Sequence, residues 1–137
     1  MKINYKIALE LVAYYQMRYN TQFEISSIYS LFPEEGEYGF TESWPFLNNG
    51  GVYLILDESK NVIYVGKADK FGSRLYDHFR EDCEGGCIIR EPGWKNQPRY
   101  VINIKVADDR IYENLSLEGY LIKVLDPDDN TRGRNIR

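Results

Sequence analysis

The side chains of this chain whose types and spacing could carry chemistry are Glu118, Arg74, His78, Tyr53, Tyr64 and Lys67. Ile111, Leu115, Glu118, Ile122 and Leu125 follow one another at steps of 4, 3, 4 and 3, which reads as the apolar stripe of a helix with a carboxylate in its middle. A core-facing carboxylate is costly unless it is paired or binds a metal. The spacing therefore leaves two readings, an arginine partner at the stripe's edge or a metal ligand. Arg74 and His78 lie four apart and share a helix face. They read as a solvated pair, or as a phosphate-binding guanidinium beside a group that titrates near neutrality. Tyr53 and Tyr64 occupy two β-rich runs, and Lys67 follows the second. Tyrosine is a good strand former, so each alone is an ordinary strand residue; together they could face a substrate.

The elements that must position these residues are readable in outline. Residues 52–56 and 62–65, separated by the polar turn "DESKN", predict a β-hairpin. Phe71, Leu75 and Phe79 at steps of four predict a helix, with Asp69 as its N-cap. The stretch "CEGGCIIREPGWKNQP" reads as a loop and "RYVINIKVA" as a third strand. The segment from Asp108 to Pro127 opens on two aspartates and stops before a proline, as a helix does. The order β-β-α-β-α predicts an α+β domain with a small, mainly antiparallel three-stranded sheet flanked by helices. Ahead of it, Ile3, Ile7, Leu11 and Tyr14 predict an amphipathic helix over 3–19, and a second short helix is expected near 23–32. The Pro- and Gly-containing stretch that follows reads as a connection. The division falls near Asn48, giving a helical appendage over 1–48 and the main domain over 49–137.

Composition narrows the class. The 137 residues are 43% hydrophobic and 28% charged, which suits one folded domain and not a disordered chain. No apolar run reaches the length of a membrane span, and the N-terminal segment reads as an amphipathic helix in place of a signal peptide, so a cytoplasmic location without a membrane is expected. The net charge of −4 argues against a broad non-specific nucleic-acid surface. The charge is uneven, though. Residues 1–50 carry three basic and six acidic side chains, and 51–137 carry fourteen and fifteen, so a local basic face fits in the second part. Cys83 and Cys87 are too few for a disulfide scaffold, and no second cysteine pair completes a zinc site.

Taken together, these pieces resemble the GIY-YIG nuclease family, which includes homing endonucleases, several restriction enzymes and the nuclease module of the bacterial excision-repair incision subunit. Gly51-Val52-Tyr53 looks like its first signature and Tyr64-Val65-Gly66 its second, with ten residues between them. "YVGKA" followed by "SRLYDHF" looks like its second block, where Arg74 falls on the family arginine. "LEGYLIKVLDPDDN" looks like its third, where Glu118 falls on the metal-binding glutamate and Asn130 on the trailing asparagine. The resemblance covers about residues 50–130. Val52 stands where the family has isoleucine, and the stretch from Arg80 to Tyr100 has no counterpart role.

The resemblance implies a metal-dependent endonuclease hydrolysing phosphodiester bonds in DNA, or a module of the same fold that only binds nucleic acid or a partner protein. It implies one Mg²⁺ (or Mn²⁺) at Glu118, Arg74 on a phosphate oxygen, Tyr64 positioning water or phosphate, and Asn130 orienting its neighbours. Tyr53 is then the leading general base, with Lys67 favouring its phenolate. His78 is the rival base, since an imidazole already suits the task. Lys67, Lys70, Arg74, Arg80, Arg90, Lys95 and Arg99, with Arg132, Arg134 and Arg137 in the tail, are expected to form a modest basic rim. Residues 1–48 are expected to pack on the main domain or on a partner protein and not on DNA.

Overall fold

The structure of the chain, a computed structural model, describes residues 2–32, 43–81 and 87–130. Cys83, the tail arginines and most of the connection lie outside them. At the centre is the expected hairpin, β4 (Gly51–Leu56) and β5 (Asn61–Ala68), with β8 (Tyr100–Lys105) on its other side. All three pair antiparallel, and the order β5-β4-β8 leaves β4 in the middle. Every residue of β4 is buried, because the sheet carries a core on each face.

On one face, Val52, Leu54 and Leu56 pack with Val65, Ile102 and Ile104 against two helices, α1 (Tyr5–Tyr19) and α3 (Glu113–Leu125). On the other, Tyr53, Ile55 and Val101 pack against α2 (Phe71–His78), Tyr29, Leu31 and Trp44. No helix among the described residues is long and apolar enough to cross a membrane.

The N-terminal region departs from expectation in three ways. Ile3–Asn4 is a short strand, β1, paired with Asn61 and Val62, and the helix starts only at Tyr5, with Asn4 accepting from the Lys6 amide. The buried face of α1 is Ala8, Val12 and Tyr15, whereas Ile7 and Tyr14 are half-exposed. The expected second helix near 23–32 is replaced by two two-residue strands, β2 (Glu24–Ile25) and β3 (Tyr29–Ser30), both paired with β8. The three-stranded core is thus widened into a six-stranded sheet. These pairs form because β8 and β5 offer open edges, which no local pattern in the short strands themselves announces. Thr21 donates to the buried Glu113 carboxylate at 3.0 Å, a further tie between the first segment and α3.

The stretch after α2 is also more than a loop. Phe79–Glu81 (β6) and Cys87–Ile89 (β7) form a separate antiparallel ribbon, in which Phe79 pairs with Ile89.

Candidate active site

The hairpin sets the floor of the site. Tyr53 on β4 faces Gly66 on β5. A Cβ at Gly66 would lie 2.3 Å from Tyr53 Cζ and 2.4 Å from its hydroxyl, so only glycine lets the ring lie across the neighbouring strand. Tyr64, on the same face of β5, stacks on Tyr53 at 6.1 Å. Helix α2 buries Phe71, Leu75 and His78, with its first amides tied to the carbonyls of Asn49 and Leu47. Arg74 is left on the flank that faces the tyrosines.

A cleft of about 530 Å³ is lined by Tyr53, Tyr64, Lys67, Arg74 and Glu118, with Lys70 and Asp77 also on its wall. Five of the seven residues expected at the site therefore meet in one place, from β4, β5, α2 and α3. His78 does not line the cleft. It is 1% exposed and sits behind Tyr53, whose hydroxyl is 2.8 Å from Nε2. Tyr53 and His78, rivals for one role on sequence grounds, are hydrogen-bonded partners. Asn130 does not line the cleft either. Its side-chain carbonyl accepts from the Val65 amide at 2.8 Å and its amide donates to the Val65 carbonyl at 2.9 Å, which fixes the strand between Tyr64 and Gly66. Asn130→Ala should lower stability by about 1–3 kcal/mol, since it leaves the buried groups of Val65 unpaired. The shift of the urea midpoint measures it.

The Glu118 stripe is corrected. The core face of α3 is Asn114, Leu117, Leu121 and Leu125, and Leu115 is 67% exposed. Glu118 is half-buried at the edge of that face. Because this helix carries apolar residues on several sides, two stripes fit the sequence and the wrong one includes Glu118. The glutamate needs no core-burial argument: it stands on the cleft wall.

Lys67 lines the cleft from a different side than Tyr53. It pairs with Val52, one residue from the Tyr53–Gly66 pair, so it projects from the opposite sheet face. Burial pushes the Tyr53 hydroxyl well above its ordinary value, Tyr64 pushes it further, and Arg74 is the nearby cation that opposes the rise. A free phenolate is thus disfavoured, and the proton leaves only with an acceptor in place. Of the expected basic rim, Lys67, Lys70 and Arg74 line the cleft, Arg99 lines a separate cleft with Lys2 and Asp57, and the tail arginines lie outside the described residues.

Two residues escaped the sequence reading. Glu91 Oε1 contacts His78 Nδ1, and the Trp94 ring packs edge-on against Tyr64 at 5.5 Å and His78 at 6.1 Å. Both lie in the stretch without a family role, and nothing in its local pattern points to the site.

This geometry, an antiparallel hairpin carrying both signatures beside an arginine helix and a glutamate helix, defines a GIY-YIG module. Residues 49–133, more than half of the chain, match the family described as the GIY-YIG catalytic domain, and the chain belongs to that family. It is 30% identical over 88 residues to UvrABC system protein C of Microcystis aeruginosa, covering 59% of this chain and 12% of that protein. Against UvrABC system protein C of Colwellia psychrerythraea it is 32% identical over 94 residues, with 51% and 14% covered. The chain thus matches only a small part of the length of these curated relatives.

Proposed function

We propose that the chain is a metal-dependent endonuclease that hydrolyses phosphodiester bonds in DNA. The observation that supports this best is the convergence of Tyr53, Tyr64, Lys67, Arg74 and Glu118, distant in sequence, on one cleft. Hydrolysis needs an activated water, a positioned phosphate and stabilisation of the leaving oxygen.

The donor set suits a hard divalent cation. Among the described residues no cluster of three or more histidine, cysteine, aspartate or glutamate side chains forms a closed cage. An open cleft whose carboxylates are Glu118, Asp69 and Asp77 suits Mg²⁺ (or Mn²⁺), which keeps several waters and takes further oxygens from phosphate. Glu118 would hold the ion, which when bound offsets charge on the phosphate and the leaving oxygen. Arg74 binds a non-bridging phosphate oxygen. Tyr53 accepts a proton from the attacking water as its own hydroxyl proton passes to His78 Nε2. The water oxygen bonds to phosphorus, the bond to the leaving oxygen breaks, and solvent protonates that oxygen.

Arg74→Ala should lower the cleavage rate by about 10²-fold or more, the scale of one lost charge-stabilising donor. Arg74→Lys should restore only part of it, because an ammonium lacks the fork. Single-turnover rates at saturating DNA measure both.

The function itself is tested with supercoiled plasmid and branched DNA, each with and without Mg²⁺. Nicked or linear product that requires the metal is the expected result. Binding without cleavage under all these conditions would overturn the nuclease reading in favour of a binding module.

A further inference from the structure

Glu91 has no part in the family signatures, yet it reaches the buried imidazole behind the site. His78 Nδ1 contacts Glu91 Oε1, and His78 Nε2 lies 2.8 Å from the Tyr53 hydroxyl. An ionised carboxylate only accepts hydrogen bonds. The proton on the neutral imidazole therefore belongs on Nδ1, where it is donated to Glu91. Nε2 is left as an acceptor, and Tyr53 donates to it.

The ribbon β6–β7 explains how a residue 13 positions away arrives there. Phe79 pairs with Ile89, and the Arg90 amide donates to the His78 carbonyl at 2.9 Å, which returns the chain to His78 just before Glu91. Beyond Glu91 the segment is anchored. The Lys95 amide and the Asn96 side chain donate to the buried Asp129 carboxylate at 2.6 and 3.1 Å. The Trp94 and Phe79 rings pack against the imidazole at 6.1 and 5.6 Å. The carboxylate is thus held on the ring by two fixed ends.

We propose that Glu91 is a positioning residue: it sets the tautomer of His78 and stabilises the imidazolium that forms when Tyr53 gives up its proton. The inference rests on the proposed nuclease reading for its catalytic consequence, but its tautomer claim stands apart from turnover. The Tyr53 and Tyr64 rings also pack against the imidazole, at 5.6 and 5.7 Å, and neither carries the negative charge that Glu91 brings.

The chain has a single histidine, so one set of imidazole ¹⁵N resonances reports on His78 alone. In the full chain at alkaline pH those shifts should show the Nδ1–H tautomer. In Glu91→Gln the preference for the Nδ1–H form should weaken and the Nε2–H form should appear in the same spectra, because a carboxamide can donate to Nδ1 as well as accept from it. In the same variant kcat for plasmid nicking should fall about 10- to 10²-fold with KM for DNA nearly unchanged. Glu91→Asp, which keeps an acceptor-only carboxylate, should leave the tautomer closer to the parent. Glu91 is 35% exposed and its isosteric replacement removes no core contact, so the variant should fold. An Nε2–H tautomer in the parent, or an unchanged tautomer in Glu91→Gln, would overturn the proposal even in an active nuclease. Failure of the parent to cleave any DNA would instead count against the nuclease reading, and the NMR arm would still decide the tautomer.

Discussion

Glu118→Gln should abolish Mg²⁺-dependent nicking, with a fall of roughly 10³-fold or more, while the protein stays folded. A divalent ion contributes several kcal/mol to a phosphoryl transition state, and each 1.36 kcal/mol is about tenfold in rate. Glutamine keeps the volume and removes the charge that holds the ion. The position of the residue makes the fold part of the prediction firm. Glu118 stands at the edge of α3, half-buried on the cleft wall, while Leu117, Leu121 and Leu125 fill the core beside it. Circular dichroism should be unchanged, and added Mg²⁺ or Mn²⁺ up to tens of millimolar should restore little. Cleavage by the variant at the parent rate would remove Glu118 from the site.

Tyr53→Phe should be nearly as damaging, by roughly 10²- to 10⁴-fold, the range for a lost general base. The ring stays against Gly66 and Tyr64, and only the hydroxyl goes. That hydroxyl is the hydrogen-bond partner of a buried Nε2, so the variant should also lose about 1–3 kcal/mol of stability for the imidazole nitrogen left unpaired. In the proposed relay Tyr53 and His78 act in series, so His78→Gln should be similarly slow, and the double variant little slower than either. Independent bases would give multiplicative losses. Full activity in Tyr53→Phe, measured under single-turnover conditions, would rule out a relay through this tyrosine.

The readable and unreadable parts of the molecule differ in a physical way. The β4–β5 hairpin, α2 and β8 were legible because each carries a local pattern, apolar runs around a polar turn or Phe71 and Leu75 four apart, although the next member of that stripe, Phe79, opens β6, and Lys70 in place of Asp69 is the N-cap. The convergence of Tyr53, Tyr64, Arg74 and Glu118 was legible through the order and spacing of the family blocks. Helix faces were read less well. In α1 and α3 apolar side chains surround much of the helix, so Ile7 and Leu115 fit one stripe while Ala8, Val12, Leu117 and Leu121 fit another, and packing decides between them. The strands β2 and β3 were invisible because two residues have no period; they exist only through β8. Glu91 and Trp94 were invisible for a similar reason, since the register of the β6–β7 ribbon, not sequence proximity, brings them onto His78. The Tyr53–His78 hydrogen bond crosses from β4 to α2, and no spacing rule reports it.

The clamp on Val65 has a bearing on how the molecule behaves in company. Beyond its pairing with β1 at Asn61 and Val62, β5 has its β4 partner on one side, and its outer side meets the C-terminal turn. There the Asp129 amide bonds the Ile63 carbonyl at 3.0 Å, and the Asn130 carboxamide presents one acceptor and one donor to Val65, as a peptide unit of a neighbouring strand would. Two residues thus stand in for a seventh strand. An open edge made of Ile63 and Val65 would be a template for another chain's backbone, and this turn occupies it. The same contacts that keep Tyr64 and Gly66 in register therefore also act as an aggregation gatekeeper for the folded protein.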